Sequence, residues 1–189
     1  DDDWTPLFTL LTGTGLRIGE ALGLAWDSVD IEHGALSVTR SLQNVPKLGF
    51  IFNEPKTEAS KADVPLNPTV VGALKTQQAW QASQRLALGS NWKDQGLVFP
   101  NSWGSPMWDS TANHALHRSI KDIGIERHIN IHDLRRTSGS LMAERGIPIK
   151  QIQGILRHAH YSTTMDIYVK NSPEALRDAV DTLGDAISG

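Results

Sequence analysis

The residues best suited to chemistry fall in two short stretches. In Ile131-His132-Asp133-Leu134-Arg135-Arg136-Thr137, His132 and Arg135 stand three apart. On a helix that spacing sets a proton-transfer group beside a permanent cation, one turn away and facing the same way. Such a pair suits an anionic, phosphate-like transition state, where fixed positive charge meets the charge that develops. Taken alone, it describes a solvated helix edge more often than a site, so its meaning depends on partners elsewhere in the chain. The second stretch is Thr14-Gly15-Leu16-Arg17-Ile18-Gly19-Glu20, which makes Arg17 and Glu20 neighbours on a polar edge. The chain has no cysteine, which excludes thiolate nucleophiles, disulfides and cysteine zinc sites.

The elements that must position these groups are mostly helices. Ile18, Ala21, Leu22 and Ala25 recur at helical spacing after Gly13 and Gly15, which predicts a first helix over residues 16–26. Short strand-like segments follow at 35–40, 50–53 and 62–66, separated by Gly, Pro, Asn and charged residues. Pro68 then opens a stretch to residue 88 rich in Ala, Leu and Gln. Helices are predicted near 111–123, 132–144, 148–156, 162–169 and 173–187, punctuated by Gly124, Gly146 and Pro173. The expected fold class is α+β, mainly helical, with one small antiparallel sheet near the N-terminal half.

Bulk composition sets the frame. At 189 residues and 39% hydrophobic content, the chain is expected to form one domain over 1–189 with a real core. No stretch approaches the roughly 20 consecutive apolar residues of a membrane span. The opening Asp1-Asp2-Asp3-Trp4 lacks the basic and apolar regions of a signal peptide, so the chain reads as cytoplasmic with no membrane partner. The net charge of -3 runs against the usual basic balance of a nucleic-acid binder, but where the arginines and lysines sit decides that question.

Further along comes Leu156-Arg157-His158-Ala159-His160-Tyr161-Ser162-Thr163-Thr164-Met165-Asp166-Ile167-Tyr168. This segment resembles the Leu-Gly-His signature, Ser/Thr-rich turn and nucleophilic tyrosine of tyrosine recombinases of the phage integrase type. The upstream His132 and Arg135 match that family's His-x-x-Arg. Arg17 and Glu20 match its Thr-Gly-Leu-Arg-x-x-Glu setting, and Pro55-Lys56-Thr57 before Val64-Pro65-Leu66 matches its hairpin lysine. The resemblance covers essentially the whole chain as a catalytic domain and leaves no part for the separate amino-terminal DNA-binding domain such enzymes usually carry. There are three departures: Arg157 where the family has glycine, Arg136 where many members have a second histidine, and Lys170 where a histidine is common.

The resemblance implies a DNA-cleaving and rejoining enzyme, with Arg17, Lys56, His132, Arg135, His158 and Tyr168 as catalytic residues and Glu20 orienting a neighbouring cation or histidine. A phenol has a reference pKa of about 10, so Tyr168 needs a proton acceptor or a positive setting to attack a phosphate. Lys56 would protonate the departing deoxyribose oxygen. No cofactor is implied, since the phosphotyrosine bond conserves the energy needed for resealing. The implied partners are double-stranded DNA and further copies of the chain in a DNA-bound tetramer, docked through the helix at 173–187. A type IB topoisomerase and a non-cutting DNA-binding module are the rival outcomes of the same motifs. A metal site built on His114, His117, His158 and His160 lacks a supporting carboxylate motif.

Overall fold

The chain begins with a helix that the periodicity does not announce. The computed structural model describes residues 3–54 and 63–158. Helix α1, Thr5–Thr14, carries Pro6 in its first turn, where a missing N–H is harmless, and buries Leu7, Leu10 and Leu11. Gly13 looks like a turn residue but serves packing. A Cβ there would lie 2.4 Å from Val70 Cγ2, so its absence lets α1 lie close against a later helix. Gly15, at φ +64, closes α1 with its N–H bonded to the Leu11 carbonyl.

Helix α2, Ile18–Gly23, is shorter than the predicted 16–26. The chain leaves it extended because Val98 N–H donates to the Leu24 carbonyl and Trp26 N–H to the Gly96 carbonyl, both at 2.9 Å. Trp26–Ser28 then forms a 3₁₀ turn. The strand region makes two sheets where one was expected. Strands β1 (Val29–Asp30), β2 (Ala35–Ser37) and β5 (Asp63–Pro65) form an antiparallel sheet in the order β1-β2-β5. Strands β3 (Ser41–Val45) and β4 (Gly49–Asn53) form a separate hairpin whose turn uses Lys47 and Gly49 at positive φ. The predicted strand 35–40 therefore ends at Ser37, and the residues after it start a second sheet. That hairpin sits against α2, since a Cβ on Gly19 would fall 2.7 Å from the Leu42 carbonyl oxygen and one on Gly23 2.8 Å from Leu42 N.

Helix α3, Pro68–Leu88, matches its prediction and is capped by Asn67, whose side chain accepts from Val70 N–H. Its buried Gln77 and Gln81 donate to the carbonyls of Leu97 and Val98, satisfying an otherwise irregular segment. Helices α4 (Asp109–Asp122), α5 (Ile131–Glu144) and α6 (Ile149–Leu156) complete the described chain. One core cluster joins Leu7, Leu10 and Leu11 of α1 to Val70 and Leu74 of α3, Leu116 of α4 and Ile131 of α5. Burying each such leucine contributes roughly 1.5–3 kcal/mol. Among the described residues no helix is long and apolar enough to cross a membrane.

Candidate active site

Three separated segments meet at one place: the junction of α1 and α2, the first half of α5, and the end of α6. Arg17 is the residue that precedes α2, and its backbone N–H donates to Glu20 Oε2 at 2.9 Å, closing the first turn. Its guanidinium Nη1 bonds Glu20 Oε1 at 2.8 Å, and its Nη2 reaches the Arg157 carbonyl at 3.5 Å. The Arg17 side chain remains 44% exposed. It lines a groove with Gly19, Ser41, Asn44 and Phe50, between α2 and the β3–β4 hairpin.

Arg135 is only 3% exposed. Its Nη1 donates to the Gly15 carbonyl and its Nη2 to the Leu156 carbonyl, tying the end of α1 to the end of α6. The glycine at position 15 is needed twice over, for its positive φ and because a Cβ there would lie 2.5 Å from Leu156 Cδ2. Ser138, one turn further along α5, reinforces the junction by donating to the Thr12 carbonyl at 2.5 Å. His132 and Arg135 share a helix side as expected but differ in depth, His132 being exposed and Arg135 buried. The start of α5 is set by Asn130, whose side chain accepts from Asp133 N–H while Asp133 accepts from Asn130 N–H.

The residue that the motif reading left without a role is Arg157. It stands at φ +52 and ψ +45, the left-handed conformation that glycine adopts freely, and it caps α6. The departure from glycine thus leaves the turn intact, at an energetic penalty of about 1–2 kcal/mol. Its side chain turns inward, and Nη2 donates to Glu20 Oε2 at 2.7 Å. The only sequence signal for this was a bulky cation at a position whose turn favours glycine.

Glu20 therefore sits between two guanidiniums. Burial alone would raise its pKa, but the charge of Arg157, with the backbone N–H and guanidinium of Arg17, outweighs that and holds the carboxyl below its ordinary value. Burial, followed by the charge of Arg17, pushes Arg135 down to about 10; Glu20 opposes the shift and Arg157 adds to it. Arg135 stays charged at neutral pH. Three guanidiniums and one carboxylate leave this cluster with two positive charges among the described residues.

His158 follows directly, its N–H bonded to the Gln153 carbonyl at 3.1 Å and its own carbonyl accepting from Gln153 Nε2 at 3.2 Å. Partial burial, then the charges of Arg135, Arg17, His132 and Arg157, bring its pKa to about 4. Three guanidiniums and the neighbouring His132 thus act on the His158 imidazole, which is neutral at pH 7. The folded value lies below the ordinary 6.5, so the unfolded chain binds the extra proton first. The contribution of His158 to stability is full above pH 6.5 and declines as pH falls toward 4. Denaturant unfolding measured across that interval should show a steeper acid loss for the natural chain than for His158→Gln. Equal slopes would remove His158 from the cluster.

Arg17, Glu20, His132, Arg135 and His158 are thus brought together. Lys56, Tyr168 and the predicted helices at 162–169 and 173–187 lie outside the described residues. Among the described residues no three His, Asp or Glu side chains gather as metal ligands. His117 instead faces His128, ring centres 4.7 Å apart.

Comparison with known proteins points the same way. A tyrosine recombinase XerC-like protein of Caldanaerobacter subterraneus subsp. tengcongensis is 32% identical over 95% of this chain and 48% of its own length. The integrase of Staphylococcus phage L54a is 29% identical over 82% of this chain and 44% of its own. The chain therefore spans about half the length of the curated relatives it matches. The Tn1549 transposon integrase, solved in complex with transposon right end DNA, superposes with a TM-score of 0.78 at 23% identity, over 96% of this chain and 59% of that one. XerA recombinase gives 0.70 at 24%, over 94% and 55%. These likenesses establish the catalytic-domain fold. Residues 5–175 match the model of the phage integrase family, and the chain belongs to that family.

Proposed function

We propose that this chain is the catalytic part of a site-specific DNA recombinase or integrase, which cleaves and rejoins strands through a 3'-phosphotyrosine intermediate. The observation that carries the reading is the meeting of Arg17, Arg135 and His158, from three separated segments, in one cluster of net positive charge. A phosphodiester is already anionic, and attack by an oxygen adds charge around five-coordinate phosphorus, so fixed cations are what the step requires. The Tyr168 phenolic oxygen attacks the phosphorus, the bond to the 5' oxygen breaks, and that oxygen leaves with a proton. His132 assists the phenol, and Lys56 supplies the proton to the leaving group. A 5' hydroxyl from another strand reverses the step and reseals the backbone without a cofactor.

Double-stranded DNA is the substrate, in the cytoplasm of a bacterial or phage-infected cell, with the segment at 173–187 docking on a neighbouring copy in a tetramer. The test is a nicked suicide duplex carrying the protein's recombination site, incubated with the protein carrying this chain. A covalent adduct that resists denaturation, and whose DNA-linked peptide maps to Tyr168, is expected. Absence of the adduct, or linkage to another residue, overturns the reading. Supercoil relaxation without strand exchange in the same preparation indicates a topoisomerase instead.

A further inference from the structure

Resting on the function proposed above, we infer that Arg157 is a positioning residue of the cleavage site, dividing Glu20 between two arginines so that Arg17 keeps donor capacity for phosphate. The contacts run through both its backbone and its side chain. The Arg157 carbonyl accepts from Arg17 Nη2 at 3.5 Å, while the Arg157 Nη2 donates to Glu20 Oε2 at 2.7 Å. Glu20 therefore offers Arg17 one oxygen for its guanidinium and shares the other between the Arg17 backbone and Arg157. Without the Arg157 side chain, Glu20 would be free to chelate the Arg17 fork with both oxygens, the geometry in which arginine and carboxylate bind best. A chelated Arg17 has fewer N–H groups to turn toward an incoming phosphate.

A role in stability alone fits Arg157 poorly. The residue is 4% exposed, and its Nε and Nη1 are buried with no hydrogen-bond partner among the described residues. Buried donors without partners work against folding, as does a left-handed backbone on a residue with a Cβ. Glycine at this position would avoid both penalties. Retaining a buried cation under those conditions makes sense where its charge and its hold on Glu20 serve the reaction. Its backbone also leads directly to His158, whose imidazole feels the Arg157 charge.

The test measures single-turnover adduct formation on the suicide duplex at saturating protein, together with equilibrium DNA affinity and a thermal midpoint for every variant. Arg157→Gln removes the charge and shortens the side chain by two atoms, leaving an amide donor in place of the guanidinium. Its adduct should form about 10-fold more slowly, a fraction of the 10²–10³ seen when a group touching the reacting atoms is lost. Arg157→Lys restores the charge and one donor and should recover the rate to within about threefold, since Lys still supplies a point charge. A glutamine variant within about twofold of the natural rate overturns the inference, and so does a lysine variant as slow as the glutamine one, because the effect would then be shape alone. If Arg157→Gln fails to fold, Arg157→Gly takes its place, and an unimpaired glycine variant counts equally against the inference. A natural protein that forms no Tyr168 adduct sinks the functional reading and this inference with it, whereas equal rates in natural and variant protein sink only the role of Arg157.

Discussion

Arg135→Lys should leave a folded protein that forms the DNA adduct roughly 10²–10³-fold more slowly, the loss typical when a donor aimed at developing charge is removed. The charge is conserved in this change, so the expected effect rests on geometry. Two of the five guanidinium N–H groups are committed to the carbonyls of Gly15 and Leu156, which come from opposite ends of the described chain. A lysine ammonium is a single point on a flexible stem and cannot bridge two carbonyls while also facing a phosphate. One buried carbonyl loses a charged donor, which costs about 1.5–3 kcal/mol of stability. Single-turnover cleavage measured well below the melting transition separates the two losses. A lysine variant that cleaves at the natural rate would show that the charge alone matters and that the junction does not depend on the fork.

Arg135 also shows how a buried residue can fix the position of groups nearer the surface. Its fork pins the α1–α2 turn that presents Arg17 and the α6 end that presents His158. The same guanidinium supplies charge and fixes the spacing of the groups around it. Electrostatic stabilisation depends on donors that need not reorganise during the reaction, and buried hydrogen bonds to backbone are the means by which a protein prevents reorganisation. Gly15 completes the arrangement by letting the Leu156 side chain pack against the turn.

Much of this was readable from the chain, and the failures share a physical cause. Helix α3 was legible over its full length because Asn67 and Pro68 give a start signal and good helix formers follow. Arg17, Glu20, His132 and Arg135 were legible as types at meaningful spacing. Helical spacing, however, specifies an angle around the axis and says nothing about depth, so the burial of Arg135 beside an exposed His132 could not be read from it. Helix α1 is not legible because Gly13 reads locally as a turn, while its actual reason is the approach of Val70 from a distant helix. The spacing that predicts a helix over 16–26 overruns α2, whose end is set by pairing with residues 96–98, far along the sequence. Arg157 was visible only as a departure, since its partner Glu20 lies 137 positions away. In each case the deciding contact is tertiary.

Removing the single carboxylate of the cluster should expose the opposite side of the same balance. Glu20→Gln leaves Arg157 buried without a counter-charge and Arg17 without its ion pair. Breaking a buried pair by removing one partner costs about 3–5 kcal/mol. For a chain of this size that corresponds to a fall of roughly 6–20 °C in the thermal midpoint, readable by circular dichroism. The pH dependence has a definite sign. Glu20 titrates below its ordinary 4.5 in the folded chain, so its stabilisation is complete above that value and is lost as pH falls through the lower folded value. The glutamine variant lacks that component, and the gap between the two proteins should narrow on acidification. DNA affinity should move the other way, holding steady or rising, because the cluster gains a net positive charge toward a polyanion. A variant that loses stability yet keeps its grip on DNA, while forming the adduct more slowly, would separate the carboxylate's work of orienting Arg17 from any part in binding. If stability is unchanged, the buried ion pair between Glu20 and Arg157 is absent in solution, and the charge arrangement derived from it fails.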